Sequence, residues 1–339
     1  MQLEKVIGTS SKGCNSLQVN PVNGDICYLA GSRLVMYSPR DAKQIKFLAS
    51  RTSRPFQCCR FSSDGKYLAA GESAFRQPQI TIWEIEYEET TSLKSAAIEG
   101  GVASAAASQA GEQTKASAQE VITIKKAVNY TEIKHLSGHK YGIEAVLFSP
   151  RNDFLISLGD PNDRGLFVWD WRNESKISQN KLSKPATLVE ISPNQDFFIT
   201  AGYQHLKYWY LNEETGMPDA RKPNEKSPPI IQAHSADLTK VKQQIFVGIA
   251  IKGPKIFAIT HDGHIYVYDK QRKLLKWMNI KVPRAFSCSA QEGRLYCACS
   301  DGIIRIFDTE SLQHLLSLSK PPPLGSTNLL AGNGRIKIQ

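Results

Sequence analysis

Two histidines with an aspartate between them give this chain its closest approach to a metal-binding pattern. His261-Asp262-Gly263-His264 places two imidazoles and one carboxylate within four residues, and transition metals bind these side chains. However, Asp-Gly is also a dipeptide that tight β-hairpins favour, because both residues tolerate a positive φ angle. We therefore predict that Asp262 supports a hairpin turn, that both histidines flank the turn at the surface, and that the chain binds no metal.

The cysteines do not form a recognisable zinc or disulfide pattern either. Their number, seven, is odd, and no two have the Cys-x-x-Cys spacing that is common in structural zinc sites. A free cysteine packs as a small hydrophobic residue, so we interpret all seven as buried thiols of a protein from a reducing compartment. They are Cys14, Cys27, Cys58, Cys59, Cys288, Cys297 and Cys299.

Sequence motifs of catalysis are also missing. The chain contains neither the Gly-x-x-x-x-Gly-Lys-Ser/Thr pattern of a phosphate-binding loop nor the Gly-x-Ser-x-Gly pattern of a nucleophilic serine. Glu86, Glu88 and Glu89 form a short acidic run, but the run borders a low-complexity segment and is typical of a solvated surface. We predict that the protein is not an enzyme and has no cofactor.

A structural role is predicted for His139, which follows Gly138 just before a run of apolar residues. Buried histidine rings and tryptophan N–H groups need hydrogen-bond partners. We expect His139 to form a buried hydrogen-bonded chain with Ser157 and Trp169, two residues of the repeat that begins there. Such a chain would lock the strands of that repeat together.

The charge of the chain favours acidic partners. Its 42 lysines and arginines exceed its 32 acidic residues and give a formal net charge of +10. Acidic protein tails, phosphorylated segments and RNA are the partners that such a charge attracts. The basic residues are scattered, however, which disfavours nucleic acid. No apolar run reaches the roughly 18 residues that span a bilayer, and the amino terminus lacks the features of a signal peptide, so an intracellular protein is expected.

The elements that position these residues are β-strands in a repeated pattern. A short apolar strand, a turn with Ser, Pro, Asp or Gly, a second strand of small residues and a third strand ending in an aromatic recur six times. The closing aromatics are spaced by 46, 86, 40, 59 and 39 residues, and the shortest intervals lie near the roughly 40–45 residues of a WD repeat. These aromatics are Tyr37, Trp83, Trp169, Trp209, Tyr268 and Phe307.

The two long intervals each contain a segment that interrupts the repeats. Residues 86–134 include an alanine- and serine-rich run, too poor in large hydrophobic residues to build a core. Residues 212–230 carry four prolines among charged residues, which indicates an exposed loop. We predict one repeat domain over residues 1–320 with these two insertions, followed by a carboxy-terminal tail or truncated next blade over 321–339.

The repeats predict an all-β fold, a WD-repeat β-propeller with six recognisable blades. Each four-stranded sheet must bury both faces, and stacking sheets around an axis achieves this. Trp83, Trp209 and Asp301 are expected to be structural, the last because Asp301-Gly302 repeats the hairpin dipeptide. Residues 3–8 precede the first repeat like the outer strand of a further blade, so the ring is predicted to be incomplete or to await a seventh blade.

Several motifs resemble a known family. They are Leu3-Glu4-Lys5-Val6-Ile7-Gly8, Gly71-Glu72-Ser73, Gly138-His139-Lys140-Tyr141-Gly142 and the run from Cys299 to Phe307. In order and over nearly the whole chain, they resemble the family of WD repeat-containing protein 62 and mitogen-activated protein kinase-binding protein 1. Gly-Glu-Ser and His-Lys-Tyr-Gly are not required by the propeller, which makes the resemblance more specific. The insertion at 86–134 departs from it.

The resemblance implies a protein-interaction scaffold of JNK and MAP kinase signalling, which in some members also acts at spindle poles and centrosomes with microtubule association. The implied partners are kinase-pathway or spindle proteins, including tubulin, and the full-length protein would self-associate through other regions. The family's kinase-docking segments lie in a carboxy-terminal region that this chain does not contain. The implied location is the cytoplasm with the spindle pole, with the nucleus as an alternative. An RNA-linked assembly, as in ribosome biogenesis, is the alternative function.

Partners are expected on one rim of the propeller, where the loops entering the inner strands and the hairpins after the second strands emerge together. Arginine and tyrosine often anchor such interfaces. The candidate rim residues are Arg54, Arg76, Lys140, Tyr141, Arg164, His205 and Arg284.

Overall fold

The structure is a computed structural model that describes residues 4–10, 13–93, 121–212, 214–218, 230–241 and 245–320. These residues form 24 β-strands and one short 3₁₀ turn, Cys14–Ser16, with no α-helix among them. Accordingly, no helix that could cross a membrane is found in the described part of the chain.

The strands form six four-stranded antiparallel sheets, each built from four consecutive strands. We number these sheets blade 1 to blade 6, and the first strand of each is the innermost. The strands are β1 (Leu17–Val19), β2 (Ile26–Ala30), β3 (Arg33–Ser38), β4 (Lys43–Ala49), β5 (Phe56–Phe61), β6 (Tyr67–Glu72), β7 (Gln79–Leu93), β8 (Val121–Ser137), β9 (Ile143–Phe148), β10 (Leu155–Gly159), β11 (Gly165–Asp170), β12 (Ser175–Lys181), β13 (Ala186–Ile191), β14 (Phe197–Gly202), β15 (His205–Tyr210), β16 (His234–Ser235), β17 (Phe246–Lys252), β18 (Lys255–Thr260), β19 (His264–Tyr268), β20 (Leu274–Asn279), β21 (Ala285–Gln291), β22 (Arg294–Cys299), β23 (Ile304–Asp308) and β24 (His314–Ser317).

The hydrophobic core is divided among the interfaces between successive blades. Side chains alternate between the two faces of a strand, so each of blades 2 to 5 contributes apolar residues to the clusters it shares with both neighbouring blades. Blade 4 shows this clearly: Phe198 packs with blade 3, whereas Phe197 and Ile199 pack with blade 5. Comparable clusters join blades 1 and 2, blades 2 and 3, and blades 5 and 6. The predicted six-bladed β-propeller architecture is confirmed.

Blades 1 and 6 each keep one apolar face half exposed. Leu17 and Val19 of β1 are 51% and 55% exposed, and Ile304 and Leu316 of blade 6 are each 38% exposed. Among the described residues, no buried hydrophobic cluster joins blade 6 to blade 1. Within the described residues, blades 6 and 1 are therefore not joined in the way that the other neighbouring blades are.

The amino-terminal segment does not form the outer strand that the sequence suggests. Residue 3 lies outside the described residues, and residues 4–10 contain no strand. The Gln44 side chain of β4 instead donates to the Val6 carbonyl and accepts from the Val6 N–H, each at 2.8 Å. A single carboxamide thus supplies both partners that a neighbouring strand would provide, and the segment lies against blade 1.

The predicted insertion at 86–134 is narrower than the sequence suggests, because both of its ends belong to paired strands. Strands β7 and β8 include residues 86–93 and 121–134 and pair along their full length, because their β-branched and aromatic residues favour strands. Tyr130 is buried there, and Tyr87 donates to the Gly65 carbonyl at 2.6 Å. Residues 94–120 lie outside the described residues. So do residues 213 and 219–229 of the predicted loop at 212–230, and residues 321–339.

Candidate functional site

Blade 3 contains the predicted buried chain around Ser157. The Trp169 indole N–H donates to Ser157 Oγ at 2.8 Å, and His139 Nε2 lies 2.7 Å from the same oxygen. On the other side of the ring, His139 Nδ1 is hydrogen-bonded to the Asp163 carboxylate. The sequence pattern does not indicate Asp163, because only the hairpin between β10 and β11 brings its side chain beside the ring.

The surroundings of His139 keep its imidazole ring neutral. Burial lowers the pKa of His139, and the neighbouring Asp163 opposes this shift without overcoming it. The Nδ1–H therefore donates to Asp163, which leaves Nε2 to accept from the Ser157 hydroxyl. Although aspartate, histidine and serine are also the members of a hydrolytic triad, Ser157 is fully buried. No substrate can reach its oxygen, so the arrangement is suited to holding the blade together.

Blade 4 contains a second chain of the same kind, which corrects one predicted rim residue. The Trp209 indole N–H donates to Thr200 Oγ1 at 2.9 Å, and His205 Nε2 lies 2.8 Å from that oxygen. His205 is only 2% exposed and therefore does not belong to a binding rim. Burial, with smaller contributions from nearby lysines, lowers its pKa to about 4. Its position at the start of β15 looked like a loop position in the sequence.

The remaining predicted structural residues occupy different surroundings. Trp83 is buried between blades 1 and 2, with its ring centroid 6.0 Å from that of Phe56. Ala70 takes the register position in blade 2 that Ser157 holds in blade 3, so blade 2 lacks the hydroxyl at the centre of the other two chains.

Both Asp-Gly pairs lie in hairpin turns as predicted, but only the glycine of each pair has a positive φ angle. Gly263 and Gly302 have φ angles of 78° and 76°. Burial alone would raise the pKa of Asp262, but hydrogen bonds from Thr260 and His264 outweigh it and lower the pKa. Asp301 forms an ion pair with Arg305 at 2.6 Å. Among the described residues, no cluster of three or more His, Cys, Asp or Glu side chains could hold a metal ion.

The loops of the predicted rim emerge at one edge of the sheets, and we call them the loop face. Because strands alternate in direction, the loops entering the inner strands and the hairpins between second and third strands emerge at the same edge. Hydrogen bonds link neighbouring loops: the Arg76 N–H donates to the Lys140 carbonyl at 3.1 Å, and the Arg164 guanidinium donates to the Ser183 carbonyl at 3.2 Å. The loop face comprises residues 31–32, 50–55, 73–78, 138–142, 160–164, 182–185, 203–204, 236–241, 245, 261–263, 280–284 and 300–303.

Four of the predicted rim residues lie together where blades 2 and 3 meet. The Arg54 guanidinium donates to the carbonyls of Arg76 and Gln77, each at 3.0 Å. Lys140 and Tyr141 lie on the adjoining loop, which accepts the Arg76 N–H.

Arg164 and Arg284 lie on the loop face away from this group. Arg164 is half-buried beside the loop that enters blade 4. Arg284 is exposed on the loop that enters blade 6, where its carbonyl accepts from the Ser300 N–H at 3.0 Å.

The central channel is crossed by polar contacts that the sequence pattern did not reveal. Arg60 of β5 pairs with Glu190 of β13 through contacts of 2.9 and 3.0 Å, although these strands belong to blades 2 and 4. The Asn15 amide donates to the carbonyls of Glu144 and Thr187 at 3.1 and 2.7 Å. The 3₁₀ turn that carries Asn15 thus connects the first blade to the third and fourth across the channel.

Comparison with known proteins agrees with this architecture. The family described as WD domain, G-beta repeat, matches residues 130–170, which span β9 to β11 and the His139–Ser157–Trp169 chain. The fold is a WD-repeat β-propeller.

The similarity to individual WD-repeat proteins extends over nearly the whole chain, and it confirms the resemblance that the sequence motifs indicate. The chain is 28% identical to mouse WD repeat-containing protein 62 over 95% of its own length and 18% of that protein. It is 29% identical to mouse mitogen-activated protein kinase-binding protein 1 over 96% of its length and 18% of that protein. Centriole proteome protein 16 of Chlamydomonas reinhardtii is 26% identical over 68% of the chain and 11% of that protein. The chain therefore spans less than a fifth of the length of these relatives.

Proposed function

We propose that this propeller is a non-catalytic scaffold that binds other proteins through its loop face. The observation that carries the proposal is the group formed by Arg54, Arg76, Lys140 and Tyr141, which places basic and aromatic side chains on a surface braced by its own hydrogen bonds. The polar groups that resemble catalytic machinery are instead buried in blades 3 and 4. Binding rather than chemistry is what this arrangement supports.

The finer proposal places the protein in JNK and MAP kinase signalling and at spindle poles or centrosomes, in the cytoplasm, with microtubules as one target. Two relatives support it through their names, which refer to mitogen-activated protein kinase binding and to the centriole. The net charge of +10 adds support, because a basic protein is attracted to acidic protein tails. Of these roles, microtubule association is the one proposed for the propeller itself.

Co-sedimentation with microtubules tests the propeller's part of this proposal. The 339-residue chain is mixed with stabilised microtubules before and after protease removal of the acidic tubulin tails, at low and at raised salt. We expect pelleting with intact microtubules that weakens on tail removal and in raised salt, because exposed charge interactions are screened. A chain that stays in the supernatant at low salt would contradict microtubule association. Pelleting that is insensitive to both treatments would contradict the electrostatic mechanism.

The RNA-linked alternative requires a different surface. A site for single-stranded RNA combines a continuous basic groove with aromatic rings that stack on successive bases. Efficient ultraviolet crosslinking of the chain to RNA in cells, lost at raised salt, would favour this alternative over the scaffold proposal.

A further inference from the structure

The most exposed aromatic side chain of the loop face is Phe75, on the hairpin between β6 and β7. Its side chain is 68% exposed, although it is large and apolar. The ring centroid lies 5.5 Å from that of Tyr141, and the Arg76 guanidinium lies 5.5 Å from the Phe75 ring. We call the group of Arg54, Phe75, Arg76, Lys140 and Tyr141 the Phe75 platform.

A buried carboxylate anchors the loops under this platform. The Glu72 side chain is 1% exposed. It accepts hydrogen bonds from Ser50 Oγ at 2.9 Å and from the Gln79 N–H at 3.0 Å, and it also accepts from the Thr52 hydroxyl. One Glu72 oxygen lies 3.9 Å from the Arg54 guanidinium. This carboxylate therefore ties the loop entering blade 2 to the hairpin that carries Phe75.

Arg54 connects Glu72 to a segment of the hairpin with unusual φ angles. Its guanidinium holds the carbonyls of Arg76 and Gln77, two consecutive residues with φ angles of 71° and 53°. Positive φ angles are uncommon for residues other than glycine and persist only where surrounding contacts enforce them. The hairpin is thus held in one conformation with Phe75 facing outward, so little entropy would be lost when a partner binds.

The open charges around Phe75 are positive. Arg76 and Lys140 are exposed and Arg54 is half-buried. The carboxylates of the adjoining loops have donors of their own. Glu72 is buried among its donors, Asp160, close to the Gly142 backbone, accepts the N–H groups of Asn162 and Asp163 at 2.9 Å, and Asp163 is hydrogen-bonded to His139. The surface therefore presents an apolar ring within a basic border.

We propose that the Phe75 platform binds an acidic protein segment that carries an apolar side chain. The apolar side chain packs on Phe75 and Tyr141, and the carboxylates around it pair with Arg76, Lys140 and the outer edge of Arg54. This inference rests on the proposed scaffold function and specifies the ligand class of one site. A nucleic acid is disfavoured because the two rings contact one another and are not spaced to stack successive bases.

Fluorescence anisotropy with designed peptides tests this proposal on the 339-residue chain. The probe is a fluorescein-labelled 12-residue peptide in which glutamates and aspartates surround one central leucine. We expect saturable binding that weakens with salt, and binding at least about tenfold weaker for Phe75→Ala and for Arg76→Glu, the loss typical of an interface anchor. Peptides with lysine in place of the acidic residues, or with serine in place of leucine, should bind poorly.

Tyr203→Ala is the matched control. Tyr203 is an exposed aromatic of the loop face, 49% exposed, on the equivalent hairpin of blade 4, so its removal should leave peptide binding unchanged within about twofold. Unchanged melting temperatures for all variants would show that the fold is intact. Equal losses in Phe75→Ala and Tyr203→Ala, no saturable binding, or tighter binding of a uridine oligonucleotide of equal length would each overturn the proposal.

The peptide-binding and microtubule experiments together distinguish the platform assignment from the scaffold proposal. If the chain pellets with microtubules but the peptide does not bind, the platform assignment is wrong and the scaffold proposal stands. If the peptide binds through Phe75 while pelleting fails, the platform assignment stands without microtubules as its target.

Discussion

Ser157 is the single hydroxyl on which two large buried side chains of blade 3 depend, and its replacement by alanine is therefore an informative perturbation. In the folded protein Ser157 accepts from Trp169 and donates to His139 Nε2. Alanine keeps the strand geometry and the β-carbon, so the substitution removes one oxygen atom and almost no packing. It leaves one indole N–H and one imidazole nitrogen without a partner in a fully buried position.

The expected cost follows from these two unsatisfied groups. Leaving a buried polar group without its partner costs about 1–3 kcal/mol, and two such groups are created. Partial relaxation of the His139 ring toward Asp163 reduces the sum. We expect Ser157→Ala to lower the free energy of unfolding by about 2–4 kcal/mol, well above the roughly 0.5 kcal/mol typical of a surface substitution.

Urea unfolding monitored by tryptophan fluorescence measures this loss, since the midpoint shifts in proportion to stability at constant slope. Ser183→Ala, at an exposed loop position near the same blade, is the control. Hydrogen exchange of β10 and β11 should accelerate more than that of blade 6, because opening is local where packing is weakened. A Ser157→Ala midpoint equal to that of Ser183→Ala would refute the reasoning.

Three further outcomes follow from other parts of the structure. Burial lowers the pKa of His205 from 6.5 to about 4, so protonation of this ring favours the unfolded chain below pH 6.5. The free energy of unfolding should therefore decline by about 3 kcal/mol as the pH falls from above 6.5 to about 4. His205→Gln should flatten this dependence in unfolding measured across that range. Gly263→Ala should lower the free energy of unfolding by more than about 1 kcal/mol, because φ is 78° and an added β-carbon would lie 2.8 Å from a Val282 methyl. Gly253→Ala, where φ is 56° and the space is open, should cost less when both variants are compared by thermal unfolding. Glu72→Gln should raise proteolysis at residues 73–78 without lowering the melting temperature by more than a few degrees, because it weakens the anchoring of one hairpin; unchanged cleavage there would contradict that role.

Much of the architecture follows from local sequence. Alternating apolar residues, Asp-Gly turns and closing aromatics specify strands of a repeated four-stranded unit, because each of these signals acts within a few residues. The same reasoning identifies His139, Ser157 and Trp169 as partners, since buried donors must be satisfied. The insertion predicted at 86–134 is too wide, because β-branched residues at its ends extend strands β7 and β8 into it, which low complexity alone does not indicate.

Tertiary structure decided which polar side chains turn inward and which partners they meet. His205 and Lys140 both looked like loop residues in the sequence, yet His205 turns inward to Thr200 while Lys140 remains exposed. Glu72, an ordinary strand-end glutamate by sequence, becomes the buried anchor of Phe75 only when two loops close over it. The contact between Glu72 and Ser50 depends on how blades 1 and 2 stack around the axis, and stacking is a property of whole sheet faces that no short stretch of sequence encodes.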